Sequence, residues 1–180
     1  FTSIMYDGSK LPDAQNRETT AEITAFAHEH GVSVEAELGE VGGKNGVHDP
    51  SARTNPEDAA KFVADTGVDL LAVAVGSSHA MATREAVLDN QLIAAIHELV
   101  PVPLVLHGSS GVPDEGMVAA IQAGMTKINV STHLNVVFTQ GVRQILDENP
   151  KIVDPRKYVG PATHLVQEEV ERLMRLYAQA

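Results

Sequence analysis

Two imidazoles, three carboxylates and two small-residue turns hold the chemistry that this 180-residue chain can do. His79 follows the apolar run Leu70 to Val75 and its Gly76-Ser77-Ser78 tail, and His107 follows the run Pro103 to Leu106. Neutral imidazole suits Zn²⁺ or another divalent cation, and a catalytic site of that kind needs about three protein ligands with one position left open. A single histidine at a strand end often only caps a carbonyl. Two in one setting, each after an apolar run and before small residues, point to a shared ion. Two ligands fall short of a set, so a third is expected from outside the chain. Glu35 and Glu37 stand at i, i+2 in the alternating stretch Val32 to Leu38 and face the same side. An unpaired carboxylate is costly to bury. Glu37, nearer the strand's end, is therefore read as a metal ligand or as the partner that steadies a ligating histidine. His28, His30, His48, His97, His133 and His164 fall on helices or loops and read as surface.

The turns suit an anion. Gly108-Ser109-Ser110-Gly111 feeds a helix opening at Pro113-Asp114-Glu115, and Asn129-Val130-Ser131-Thr132 feeds the next. Free backbone N–H groups at such junctions cradle phosphate. The formal net charge of −11 leaves no basic patch for that task. It also argues against nucleic-acid or anionic-membrane partners, which its long-range field repels. With no cysteine, disulfides and thiolate zinc sites are excluded. No apolar run approaches the ~20 residues of a membrane span, so a cytoplasmic protein is expected.

The elements that must position these groups alternate. Strands are predicted at Ile4 to Tyr6, Val32 to Leu38, Leu70 to Val75, Pro103 to Leu106 and Lys127 to Val130. Helices are predicted from Ala14 to Glu29, Pro56 to Gly67, Asp89 to Leu99, Pro113 to Ala123, Thr132 to Glu148 and Thr163 to Tyr177, with a Gly-rich loop from Gly39 to Val47. Strict alternation without hairpin signals means a parallel sheet with right-handed crossovers. Each strand finishes on chemistry: Asp7, Glu37, His79, His107 and Asn129. In an open sheet such ends are strung along an edge; in a barrel they converge on one mouth. The expectation is an α/β fold, a (β/α)8 TIM barrel of which residues 1–180 carry five βα units plus a C-terminal helix. A full barrel needs eight strands and ~250 residues. The opening Phe1 to Tyr6 reads as a strand interior without an initiating Met, so three βα units are expected before Phe1.

The segments Met5 to Ser9, Ser33 to Gly43, Leu71 to His79, Pro103 to Gly111 and Lys127 to Thr132, in that order, resemble the class II, metal-dependent ketose-bisphosphate aldolases, which include fructose- and tagatose-bisphosphate aldolase. The resemblance covers nearly the whole chain and implies strands four to eight of a TIM barrel. It implies that His79 and His107 are two of three zinc-binding histidines, with Glu37 and Asp7 as nearby or alternative ligands and a monovalent cation as a possible companion ion. It further implies that Gly108, Ser109, Ser110, Asn129, Val130, Ser131 and Thr132 hold the dihydroxyacetone-phosphate end of the substrate. The family's catalytic Asp and third histidine fall before Phe1. The chain departs from the pattern in two places: Ala80 replaces a glycine whose backbone approaches the phosphate, and Lys44-Asn45 follows Gly42-Gly43 where a proton-moving Glu is usual.

The implied function is reversible aldol cleavage of a ketose 1,6-bisphosphate in glycolytic-type carbohydrate metabolism, by a homodimer or homotetramer when full length. Residues 1–180 alone are expected to be inactive. No lysine stands at a strand's C-terminal end, Lys127 opening its strand, which disfavours a Schiff-base aldolase. The alternatives are a metal-dependent sugar-phosphate epimerase or hydrolase barrel, and a non-catalytic sugar-phosphate-binding homologue.

Overall fold

The structure, a computed structural model, describes residues 1–39, 53–79, 81, 83–178 and 180. The predicted loop beyond Gly39, with Lys44-Asn45, and the departure at Ala80 lie outside the described residues. The chain divides into two compact units, Phe1–Asn129 and Val130–Ala180.

The first unit alternates strand and helix: β1 (Ser3–Tyr6), α1 (Asp13–Glu29), β2 (Ser33–Leu38), α2 (Pro56–Thr66), β3 (Leu70–Val73), α3 (Asn90–Leu99), β4 (Leu104–Leu106), α4 (Asp114–Gln122) and β5 (Met125–Ile128). The strands form one sheet in the order β1-β2-β3-β4-β5, and every ladder is parallel. A doubly wound sheet reverses its order at a switch point; this one never does. Right-handed crossovers then put α1 to α4 on one face, and successive helices pack against each other. That single winding is an arc of a TIM barrel.

Local chemistry sets the boundaries. The Asn55 side chain accepts the Asp58 N–H at 3.0 Å, Pro56 opens α2, and Gly67 closes it at φ +68°, a conformation that costs a β-carbon-bearing residue. Asp89 caps α3 by accepting the Leu92 N–H. Val34 and Ala36 of β2, Ala59 and Phe62 of α2 and Ile93 and Ile96 of α3 are all fully buried. The opposite face carries Glu35 and Glu37. Paired residues of neighbouring strands share a face, so the register Glu37↔Ala72↔Val105↔Lys127 is one row across that inner face.

Several boundaries differ from expectation. β3 ends at Val73, so His79 sits six residues beyond it on a buried loop rather than at the strand's end. β5 begins at Met125, so Lys127 lies within the strand instead of opening it. In the second unit, which holds α5 (Thr132–Glu148) and α6 (Arg156–Tyr177), α6 starts seven residues before the predicted Thr163 and runs through Pro161. Pro161 falls early enough that the missing N–H costs one bond, and the turn ahead of it is closed by Val159 N–H to Pro155 O at 2.8 Å. His133 is not a bare surface residue: its Nε2 lies 2.7 Å from Glu169 Oε1, a carboxylate that Arg172 also grips at 2.8 Å.

Candidate active site

His107 directly follows β4 and is 6% exposed. Its Nε2 lies 2.8 Å from Glu35 Oε1, and the other oxygen of that carboxylate takes the Lys127 ammonium at 2.6 Å. Burial alone raises the Glu35 pKa; the hydrogen bonds from His107 and Lys127 outweigh it and hold the carboxyl below its ordinary value. The ion pair also reports sheet shape. Side chains stand roughly perpendicular to a sheet, so heads three strands apart in a flat sheet are about 14 Å apart. Glu35 and Lys127 touch because the sheet curls, as a barrel wall does.

The other ring nitrogen, Nδ1, is 3.6 Å from Glu37 Oε2, and Glu37 is fully buried. That is too long for a hydrogen bond. It is close to the separation, about 3.4 Å, of two ligand atoms at a tetrahedral angle on one zinc ion. The ring of His79 stands 5.8 Å from that of His107, edge-on at 83°. Metal–nitrogen bonds of about 2 Å put two imidazole centres on one ion about 5 to 6 Å apart, and the observed spacing falls there. Two imidazoles and a carboxylate, donors of the types a zinc-like ion takes, thus fit a divalent cation. Among the described residues no three His, Cys, Asp or Glu side chains are grouped so as to hold a metal ion, so the fit is one of donor types and pairwise spacing. The carboxylate within hydrogen-bond distance of His107 is Glu35, where Glu37 was expected as either a metal ligand or the steadying partner. Asp7 sits exposed beyond β1, where its carboxylate takes the N–H and O–H of Ser9 at 3.1 and 2.6 Å.

The loops after β3 and β4 lie against each other. Gly108 has φ +67°, and a β-carbon there would come within 2.6 Å of the Ser78 carbonyl carbon. A 3-10 turn, Ser109–Gly111, follows. The buried Ser109 donates its hydroxyl to Asn129 O at 2.5 Å, tying the turn to the end of β5. That proton is committed to the carbonyl. The Asn129 amide Nδ2 is 3.1 Å from His107 Nε2. Ser77 Oγ, buried on the His79 loop, has no hydrogen-bond partner among the described residues. Val130, Ser131 and Thr132 belong to the second unit, where Thr132 opens α5 and Ser131 O accepts the Asn135 N–H.

Two contributors were missed from the sequence. Arg84 donates to Val112 O at 2.8 and 3.1 Å and pairs with Asp114, strapping the segment after His79 to the start of α4. Lys127 reaches the inner face because the β4–β5 register shifts by one residue, pairing Leu104 with Met125 but Val105 with Lys127. No periodicity signals that bulge.

A curled, singly wound parallel sheet with histidines and carboxylates at one end of its strands defines a barrel-type α/β scaffold. The family profile described as fructose-bisphosphate aldolase class-II matches residues 1–180. A fructose-bisphosphate aldolase of Geobacillus stearothermophilus is 39% identical over 182 residues, covering 100% of this chain and 63% of that protein. The crystal structure of the YdjI aldolase of Escherichia coli K12 superposes with a TM-score of 0.77 at 32% identity, covering 98% of this chain and 60% of its own. A Coccidioides immitis protein assigned as a candidate fructose-1,6-bisphosphate aldolase gives 0.84 at 30% identity, with coverage of 98% and 62%. The chain belongs to the class II fructose-bisphosphate aldolase family, and it spans less than two thirds of the length of these relatives.

Proposed function

We propose that the chain is the C-terminal portion of a TIM-barrel enzyme that reversibly cleaves a ketose 1,6-bisphosphate to dihydroxyacetone phosphate and an aldehyde phosphate. The observation that carries this reading is the pairing of the His79 and His107 rings at 5.8 Å with Glu37 Oε2 3.6 Å from His107 Nδ1. His79 and His107 would hold Zn²⁺ or a similar divalent ion, with Glu37 as a further or alternative ligand and a third imidazole from elsewhere in the full protein. When bound, such an ion supplies Lewis acidity for the negative charge that builds on the ketose oxygens as the C–C bond breaks. The chain's own residues do the rest. Glu35 orients His107, and Gly108, Ser110 and Asn129 fix the phosphate, so that binding remote from the reacting carbons aligns them. The Ser109 hydroxyl holds the two turns together.

The test is product analysis with the full-length protein and fructose or tagatose 1,6-bisphosphate, with and without a chelator. Chelator-sensitive release of triose phosphates supports the aldolase reading. An epimer or free inorganic phosphate as product overturns it in favour of the epimerase or hydrolase alternative. Binding of the sugar bisphosphate with no turnover leaves only a non-catalytic homologue.

A further inference from the structure

His107 Nε2 has two suitors, and they demand opposite protonation. Glu35 Oε1, at 2.8 Å, is an acceptor and requires a hydrogen on Nε2. The Asn129 amide Nδ2, at 3.1 Å, is a donor and requires a lone pair there. In the neutral ring, if Asn129 prevails, the one hydrogen moves to Nδ1, the nitrogen that faces Glu37 at 3.6 Å. An Nδ1–H cannot ligate a cation. The choice between tautomers is therefore a choice between a competent and a blocked ligand.

Lys127 bears on that contest. Its ammonium lies 2.6 Å from Glu35 Oε2, the oxygen not used by His107, so both oxygens of a carboxylate that is 3% exposed are engaged as acceptors. The three residues come from β2, β4 and β5, and Lys127 is turned inward only by the register shift beside Val105. We propose that Lys127 is a positioning residue. By fixing Glu35 as the acceptor of His107 Nε2–H, it keeps the Nδ1 lone pair directed at Glu37 and the cation position. The link to the cation rests on the metal-site reading above; the tautomer preference rests on the hydrogen-bond geometry alone.

Long-range ¹H–¹⁵N correlation spectra of the metal-free, full-length protein read the tautomer directly. Wild type and Lys127→Arg are expected to show His107 as a single Nε2–H form, and Lys127→Met a mixture with Nδ1–H. Calorimetric zinc binding should weaken about 10-fold in Lys127→Met, the size typical of losing a group that orients a ligand, and recover in Lys127→Arg. Because Lys127 acts through Glu35, Glu35→Gln combined with Lys127→Met should lose no more zinc affinity than Glu35→Gln alone. A single Nε2–H tautomer in Lys127→Met, or additive losses in the double variant, overturns the proposal. Wild type that shows the single tautomer but binds no zinc overturns the metal-site reading instead and leaves the role of Lys127 in ring orientation standing.

Discussion

Gly108→Ala tests whether the His79 loop and the Gly108 turn are built as one unit. Gly108 sits at φ +67°, left-handed backbone that costs an L-residue about 1–2 kcal/mol. The new methyl would also lie 2.6, 2.7 and 2.9 Å from the carbonyl carbon, oxygen and nitrogen of Ser78. Those are backbone atoms, and Ser77 and Ser78 around them are buried, so the neighbour cannot simply rotate away. Overpacking of this kind adds about 1–3 kcal/mol. The sum, about 2–5 kcal/mol, should appear as a lowered urea midpoint at unchanged m-value. If the chain escapes part of that strain by parting the two loops, the phosphorylated substrate should bind more weakly while the fold survives. Both readouts come from the same purified variant, by denaturation and by a KM measurement. A loss below about 1 kcal/mol with unchanged KM would refute the contact between these loops.

Other outcomes follow from the same geometry. His107→Ala should abolish chelator-sensitive activity and weaken zinc binding severely; unchanged metal stoichiometry by elemental analysis would count against its role as a ligand. Ser110→Ala should mainly raise KM for the phosphorylated ketose, whereas an effect confined to kcat would contradict a uniform-binding role. In the second unit, Arg172 and His133 outweigh burial at Glu169 and hold its carboxyl at about 2, below the ordinary 4.5. A depressed carboxylate stabilises the fold above its unfolded pKa and loses that contribution as pH falls towards 2. Glu169→Gln should therefore cost about 1–2 kcal/mol at pH 7, after allowing for solvent screening at half-exposed Arg172, and almost nothing near pH 2. A pH-independent penalty would sink that explanation.

The sequence carried the elements and the ends of most strands. Apolar runs bounded by Gly31, Gly67 and Gly124 marked where helices hand over to strands, and the i, i+2 spacing of Glu35 and Glu37 put both on the inner face. His107 falls where expected, directly after β4. What stayed hidden depends on three-dimensional register. The β4–β5 shift turns Lys127 inward, and strict alternation from Met125 would have turned it towards the helices. Which of two equivalent carboxylates meets His107 Nε2 is likewise a matter of angstroms, and it is Glu35. Ser109 looked like an anion ligand by its place in a Gly-Ser turn, yet its hydroxyl serves Asn129 O. Arg84 gave no pattern signal, because its partner Val112 O is a backbone atom 28 residues away. The expected start of the last helix at Thr163 falls inside α6, which opens at Arg156 and runs through Pro161.

The most direct test is anomalous diffraction at the zinc absorption edge from crystals of the full-length protein. The account predicts one strong peak within about 2.0–2.2 Å of His107 Nδ1 and a ring nitrogen of His79. A peak at some other site, or zinc-loaded crystals with no density between these two rings, would contradict it.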